Sequence, residues 1–285
     1  MPRRDQKLAI AIPASLVSDI PHLREKTLKI GLVSRAAAIF RVEEIVVFPD
    51  VPDAKQNRDR NLIVTILSYI ETPQYLRKRL FKIRLELRYA GILPPLRTPH
   101  HPLAKKAKEL KVGEIREGAI ISITESGSLV DIGVERPALL PKRNLPMNAR
   151  VTICVAKAGK RPRVALANRG EIEAYWGYKV TASKVPLGQL TKSGVYDLII
   201  ATSKFGTPIL EVVDELVDRW KQSSSILVAF GAPSRGLQKI VAQENLRLEE
   251  VADFTVNTIS GQGTETVRTE EALYASLALL NAVVR

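Results

Sequence analysis

The sequence predicts an α/β protein, a mostly parallel sheet covered on both faces and interrupted by a small all-β barrel of the OB type. Three observations predict it. Strand-like and helix-like patterns alternate through residues 1–97 and again through 170–285, as repeated β-α units do. Between them, after a proline-rich stretch, the texture changes to short alternating runs separated by glycines, the habit of a β module. The 285 residues, 45% apolar and 26% charged, suit a globular chain with one large domain or two modest ones.

Taken in order, Leu8–Ala14 reads as a strand, His22–Phe40 as a helix and Ile45–Phe48 as a strand, and Asn57–Leu87 is helical material broken near Pro73. Pro94, Pro95, Pro99 and Pro102 then make a stiff linker. Residues 98–169 are the inserted module, so that 1–97 and 170–285 form the enclosing domain. Ala119–Thr124 and Leu129–Val134 flank a turn at Glu125-Ser126-Gly127-Ser128. Val151, Ile153 and Val155 alternate with Thr152, Cys154 and Ala156, which puts Cys154 on the other face of a strand as a small packing residue. Lys157–Arg163 is a basic hairpin loop before Val164–Ala167. In the C-terminal part, Asp197–Thr202, Ile226–Phe230 and Phe254–Ile259 read as strands. Pro208 suits the first turn of a helix carrying Ile209, Val212, Val213, Leu216, Val217 and Trp220. Gly236–Glu244 is a further helix, and Thr269–Val284 a closing one with Thr269 as N-cap.

The net charge is +13, from 43 Lys+Arg against 30 Asp+Glu. Such an excess points to a polyanionic partner, nucleic acid first, with a solvated basic surface as the alternative. Split after residues 97 and 169, the three parts carry +8, +8 and −3, so the C-terminal part has a different occupation. Basic residues gather at Arg77, Lys78, Arg79, Lys82, Arg84 and Arg88, at Lys105, Lys106, Lys108 and Lys111, and in the loop holding Lys160 and Arg161. Phosphate contacts there would make binding steeply salt-dependent; a solvated helix face is the other reading of Arg77–Arg88. Aromatic residues are 5% of the chain, too few to predict extensive base stacking.

One cysteine, Cys154, forbids an internal disulfide and a multi-cysteine zinc site, and His22, His100 and His101 leave little for a metal cluster. No metal is expected. No stretch approaches the roughly 20 apolar residues of a spanning helix, and the apolar run after Met1–Lys7 is short for a signal peptide. The expected place is the cytosol, or the nucleus and nucleolus in a eukaryote, with no membrane partner.

Open α/β sheets bind ligands at the carboxyl ends of their strands. Three loops there are unusual: Thr202-Ser203-Lys204-Phe205-Gly206, Gly231-Ala232-Pro233-Ser234-Arg235-Gly236, and Ser260-Gly261-Gln262-Gly263-Thr264-Glu265-Thr266-Val267-Arg268. Glycines admit a ligand close to the backbone, and hydroxyls and amides can bond an adenine or a ribose. Glycines after strands also make ordinary turns. No Gly-x-Gly-x-x-Gly and no Gly-x-x-x-x-Gly-Lys-Ser/Thr occurs, which withdraws support from nicotinamide redox chemistry and nucleotide hydrolysis.

The stretch from Tyr196 onward, with Phe230–Leu237 and Asn257–Leu273, resembles the cofactor-binding half of the SPOUT RNA methyltransferases, and Gly31-Leu32-Val33-Ser34-Arg35-Ala36-Ala37-Ala38-Ile39-Phe40 is similar to that superfamily's first motif. The likeness runs over essentially the whole chain and is closest to the archaeal and eukaryotic branch with an OB-like insertion. It implies an α/β trefoil knot holding S-adenosylmethionine at a dimer interface. The implied cofactor residues are Thr202, Ser203 and Gly206; Gly231, Ala232, Pro233 and Gly236; and Ile259, Gly261, Gln262, Gly263, Thr264 and Thr266. Lys29 stands where relatives often have asparagine, Pro233 where many have glutamate, and Thr266-Val267-Arg268 where Ser-Leu-Asn is common. These departures favour a base nitrogen such as uridine N3 over the ribose 2′-oxygen.

Arg35 and Arg268 are the candidates for stabilising a uridine anion, and Glu265 is either a base or a structural acceptor. Left to ordinary surface chemistry, Arg35 would be a solvated helix residue and Arg268 a partner of Glu270 or Glu271. The substrate expected is structured RNA, ribosomal before transfer RNA. The apolar run from Ala272 to Leu280 exceeds a one-sided surface helix; it is either deeply buried or part of a subunit interface, and a homodimer interface is the expectation. The rival reading is a non-catalytic RNA-binding or ribosome-assembly factor that keeps the knot.

Overall fold

The computed structural model describes residues 2–51, 54–142 and 144–284, with the side chains of 54 and 55 left out. In chain order come β1 (Lys7–Pro13), α1 (Leu23–Ile39), β2 (Glu44–Phe48), α2 (Ala54–Glu71) and α3 (Gln74–Leu80). The barrel strands are β3 (Ile115–Thr124), β4 (Gly127–Asp131), β5 (Ala138–Leu140), β6 (Arg150–Lys157) and β7 (Arg163–Leu166). Then follow β8 (Lys179–Ala182), α4 (Leu187–Thr191), β9 (Leu198–Pro208), α5 (Val213–Gln222), β10 (Ser225–Ala229), α6 (Leu237–Val241), β11 (Phe254–Asn257) and α7 (Thr269–Val283). The chain divides into two compact units: Tyr69–Leu85 and Leu96–Trp176 belong to the barrel unit, and Arg4–Ser68, Glu86–Pro95 and the chain from Gly177 belong to the sheet unit.

The sheet has six strands in the order β11-β9-β10-β1-β2-β8, every pairing parallel. A wholly parallel sheet is covered on both faces, which is why its strands are apolar runs rather than alternations. In β1, Ala9 and Ala11 join Ala201, Leu227, Ala229, Leu237, Ile240 and Val241 in one core. Leu8, Ile10 and Ile12, equally buried, point to the opposite face. From β9 to β10 the chain moves one strand inward, and from β10 to β11 it passes back beyond β9 to the edge. The carboxyl end of that reversal is where a parallel sheet leaves a crevice.

The barrel closes in the order β3-β4-β5-β7-β6 around Ile120, Val130, Ile132, Leu140, Ile153, Val155 and Val164. Cys154 lies half-buried on the other face of β6. A charged network ties the barrel unit's segments together. Arg150 donates to both oxygens of Glu71, at 2.5 and 3.1 Å, and to Glu117 at 2.6 Å. Glu117 also accepts from Thr152 at 2.8 Å and from the indole of Trp176 at 2.6 Å. Burial works against the Glu71 carboxylate, yet Arg150 and His100 hold it well below the usual carboxylate range. Pro73 ends α2, and Arg77 caps the free carbonyls of Ile70 and Thr72, each at 2.8 Å.

Five local expectations are corrected. Thr202–Gly206 is part of β9: Ala201 pairs with Thr255 and Thr207 with Val256, so 202–206 bulge out of a strand that then resumes. Pro208 therefore closes β9, and the helix starts at Val213 after a 3-10 turn at Ile209–Glu211. The last strand stops at Asn257, whose side chain turns back to accept from the Ile259 N–H at 3.0 Å. The barrel turn is Glu125-Ser126, because Gly127 and Ser128 already pair with β3. Arg268, rather than Thr269, is the N-cap of α7; the Thr269 hydroxyl donates to the Gly231 carbonyl at 2.9 Å, and the orphan N–H of Arg268 goes to Glu271.

Candidate functional site

The bulge within β9 and the loops at the β10 and β11 ends are bonded into one assembly. Thr202 Oγ1 donates to the Ala229 carbonyl at 2.9 Å, tying the bulge to β10. Asn257 Nδ2 donates to the Lys204 carbonyl at 3.0 Å, and Lys204 Nζ to the Glu265 carbonyl at 3.1 Å. These tie the bulge to the third loop, while Thr269 ties the start of α7 to Gly231. Gly206 has no room for a side chain: a Cβ would stand 2.7 Å from the Thr255 carbonyl oxygen and the Val256 carbonyl carbon. In the second loop Ala232 and Arg235 bridge in a tight turn. In the third, Gln262 Nε2 donates to the Thr264 carbonyl at 2.8 Å. Thr202, Ser203, Gly231, Ala232, Pro233, Ile259 and Gln262 are half-buried, and Gly236, Gly261, Gly263, Thr264, Glu265, Thr266 and Arg268 are exposed.

Arg35 belongs to α1, which packs on α7. Gly31 lets the proline segment lie against this helix, since a Cβ there would be 3.0 Å from Leu93 and 3.3 Å from Pro94. One turn on, Arg35 Nη1 donates to the Pro95 carbonyl at 3.1 Å. Burial pushes the Tyr274 hydroxyl of α7 up, and the charge of Arg35 pulls against it. The buried Lys29 ammonium lies 3.4 Å from Glu270, so the residue that departs from the motif is paired inside the same helix contact. Glu270 is thus engaged with α1, and the side chain of Glu265 reaches solvent.

The basic residues divide. Arg77 is committed to the α2 terminus and stacks over Tyr69 at 4.8 Å. Lys78, Lys82, Lys105, Lys106, Lys160 and Arg161 are exposed in the barrel unit. Sequence reasoning missed Asp50, at the end of β2. Its carboxylate accepts from the Ser15 backbone at 3.0 Å, the Ser15 hydroxyl at 2.6 Å, Gln56 at 2.7 Å and Arg235 at 2.9 Å. It thereby anchors the arginine of the second loop. Arg235 was visible in the loop, but nothing local announces a partner 185 residues away.

A parallel sheet with linked glycine-bearing loops at its switch point, joined to a small barrel with exposed lysines and arginines, defines an α/β enzyme equipped for a nucleic acid. The model of a family described as "Putative RNA methyltransferase" matches residues 7–280. The chain is 33% identical to an uncharacterized protein of Haloarcula marismortui over 95% of its own length and 98% of the relative's. It is 32% identical to a 28S rRNA (uridine-N(3))-methyltransferase of Drosophila melanogaster, over 96% of this chain and 61% of that protein. The human protein of the same name is also 32% identical, over 97% and 78%. The chain belongs to this family of RNA methyltransferases, of the SPOUT type.

Proposed function

We propose that the chain transfers a methyl group from S-adenosylmethionine to a base nitrogen of ribosomal RNA, with N3 of uridine as acceptor. The observation that carries this reading is the linkage of the β9 bulge and two glycine-bearing loops at the carboxyl end of the sheet in a member of this family; the relatives' names supply the acceptor.

The residues fit the donor. Gly236, Gly261 and Gly263 have nothing within 4 Å of where a Cβ would stand, so a ligand can reach their backbone. Ser203, Thr264, Thr266 and Gln262 offer hydroxyls and an amide to an adenine and a ribose, and the Glu265 carboxylate suits a sulfonium. Thr202, Gly206, Gly231, Ala232, Pro233 and Ile259 shape the loops around them. When bound, S-adenosylmethionine supplies an electrophilic methyl group on a positively charged sulfur. The protein's part is to hold the acceptor in line and exclude water. Uridine N3 must give up its proton before it attacks, and a cation beside the ring favours that anion. Arg35 and Arg268 take that role. Glu265 receives the proton or fixes its loop. Lys78, Lys82, Lys105, Lys106, Lys160 and Arg161 hold phosphates.

The backward connection from β10 to β11 supports a trefoil knot. The exposed Leu28 and Ile39 on α1 and Ala278 and Ala282 on α7 support a homodimer through those helices. A cytosolic or nuclear place belongs to the same proposal.

The test is transfer from labelled cofactor to unmodified large-subunit ribosomal RNA transcripts, with the product nucleoside identified by mass spectrometry. N3-methyluridine is expected. No incorporation by folded, cofactor-bound protein would leave a non-catalytic RNA-binding factor.

A further inference from the structure

Phe205 has no part in the proposed binding of the methyl donor. Of six phenylalanines, seven tyrosines and two tryptophans, it is the one ring in the exposed class among the described residues, at 80%. It is also held in place. Its N–H donates to Ser203 Oγ at 3.2 Å, and its neighbour Lys204 is bonded through both its carbonyl and its ammonium to Asn257 and Glu265. On the other side, Gly206 is pressed against the backbone at Thr255–Val256. The Lys204 ammonium stands 5.0 Å from the ring centroid. An apolar ring kept in water on a fixed bulge, with a cation over it, is a platform for a nucleobase.

We infer that Phe205 stacks on an RNA base next to the methylated uridine. The inference rests on the proposed acceptor. N3 lies on the edge that a uridine uses for pairing, so the base must leave its partner and its stack to be reached. That departure bares the face of an adjacent base, and a fixed aromatic ring restores the lost stacking. RNA is the favoured occupant because the cations here, Lys204 and the exposed Arg268 on the loop bonded to the bulge, attract a polyanion.

Phe205→Ala, Phe205→Leu and Phe205→Trp in the full chain separate stacking from bulk. With unmodified large-subunit ribosomal RNA transcripts as probe, Phe205→Ala and Phe205→Leu should each raise KM for RNA and weaken RNA binding by about tenfold or more, and Phe205→Trp should restore both. Cofactor affinity by calorimetry and mass by sedimentation should not change. The inference is overturned by wild-type RNA affinity in Phe205→Ala, by full RNA affinity in Phe205→Leu, or by a change in oligomeric state, which would assign the ring to a second copy of the chain. A weakened cofactor affinity would assign it to the donor and overturn it as well. Failure of the wild-type chain to methylate any RNA strikes the proposed function, and RNA affinity reads the stacking separately.

Discussion

Among single residues, Arg35 and His101 show how differently two side chains can be read. Arg35 is legible in the sequence because Gly31 and Arg35, one helical turn apart, form part of a motif. The structure adds why the glycine is there: it admits the Leu93–Pro95 segment, whose last carbonyl then holds the arginine. Arg35→Ala should abolish methyl transfer, by a hundredfold or more on the order of a lost transition-state contact, with cofactor affinity within a few fold; single-turnover assays and calorimetry check it. In the sequence His101 is one of three histidines, which leave little for a metal cluster. Burial and the neighbouring His100 push its pKa from 6.5 to about 4, while its Nε2 meets the Glu71 carbonyl at 2.7 Å. A depressed pKa contributes stability that is complete above pH 6.5 and is lost as the pH falls through 4, at most roughly 3 kcal/mol. Glu71, also depressed, adds a loss that begins as the pH falls into the ordinary carboxylate range, where the unfolded chain takes up the proton first. Urea unfolding at pH 7 and pH 5 should therefore show destabilisation on acidification, and His101→Gln should flatten that difference.

Among elements, β9 carries the main lesson. Its apolar start, Leu198–Ala201, is plain in the sequence, and Thr202–Gly206 looks like the loop that follows. Pairing resumes at Thr207 because β11 offers Val256 and Asn257 beyond the bulge, information that sits some 50 residues away in the chain. The same distance hid Thr269, whose hydroxyl serves Gly231 rather than its own helix. β8 was missed because Lys179–Ala182 is a four-residue edge strand, too short for a periodic signal. Two glycines make the loops testable. Gly206→Ala would drive a Cβ into the β11 backbone and should cost about 1–3 kcal/mol together with cofactor affinity. Gly236→Ala meets nothing within 4 Å and should change stability by less than about 1 kcal/mol. If the open space belongs to the donor, it should still weaken cofactor binding about tenfold. Chemical denaturation and calorimetry on the two variants distinguish a glycine kept for packing from one kept for a ligand.

For the whole molecule, the +13 charge resolves into +8, +8 and −3 along the chain, and the exposed share of it is smaller than composition suggests, since Arg77, Arg116 and Arg150 are spent on internal bonds. Each exposed cation that neutralises a phosphate should lower the slope of log affinity against log salt by about 1 when removed. Lys160→Ala with Arg161→Ala should reduce it by about 2 in filter-binding titrations, and Arg77→Ala should instead destabilise the barrel unit. By itself the sequence determined the alternation of strands and helices, the barrel between them, the excess of positive charge and the glycine-bearing loops after β10 and β11, because periodicity, turn chemistry and charge are local properties of a chain. Tertiary structure alone decided the strand order, the bulge in β9, the Glu71–Arg150–Glu117 network, the hold of Asp50 on Arg235 and the exposure of Phe205. Each of these depends on which distant segments meet, and a hydrogen bond or a buried charge has no local signature until its partner arrives.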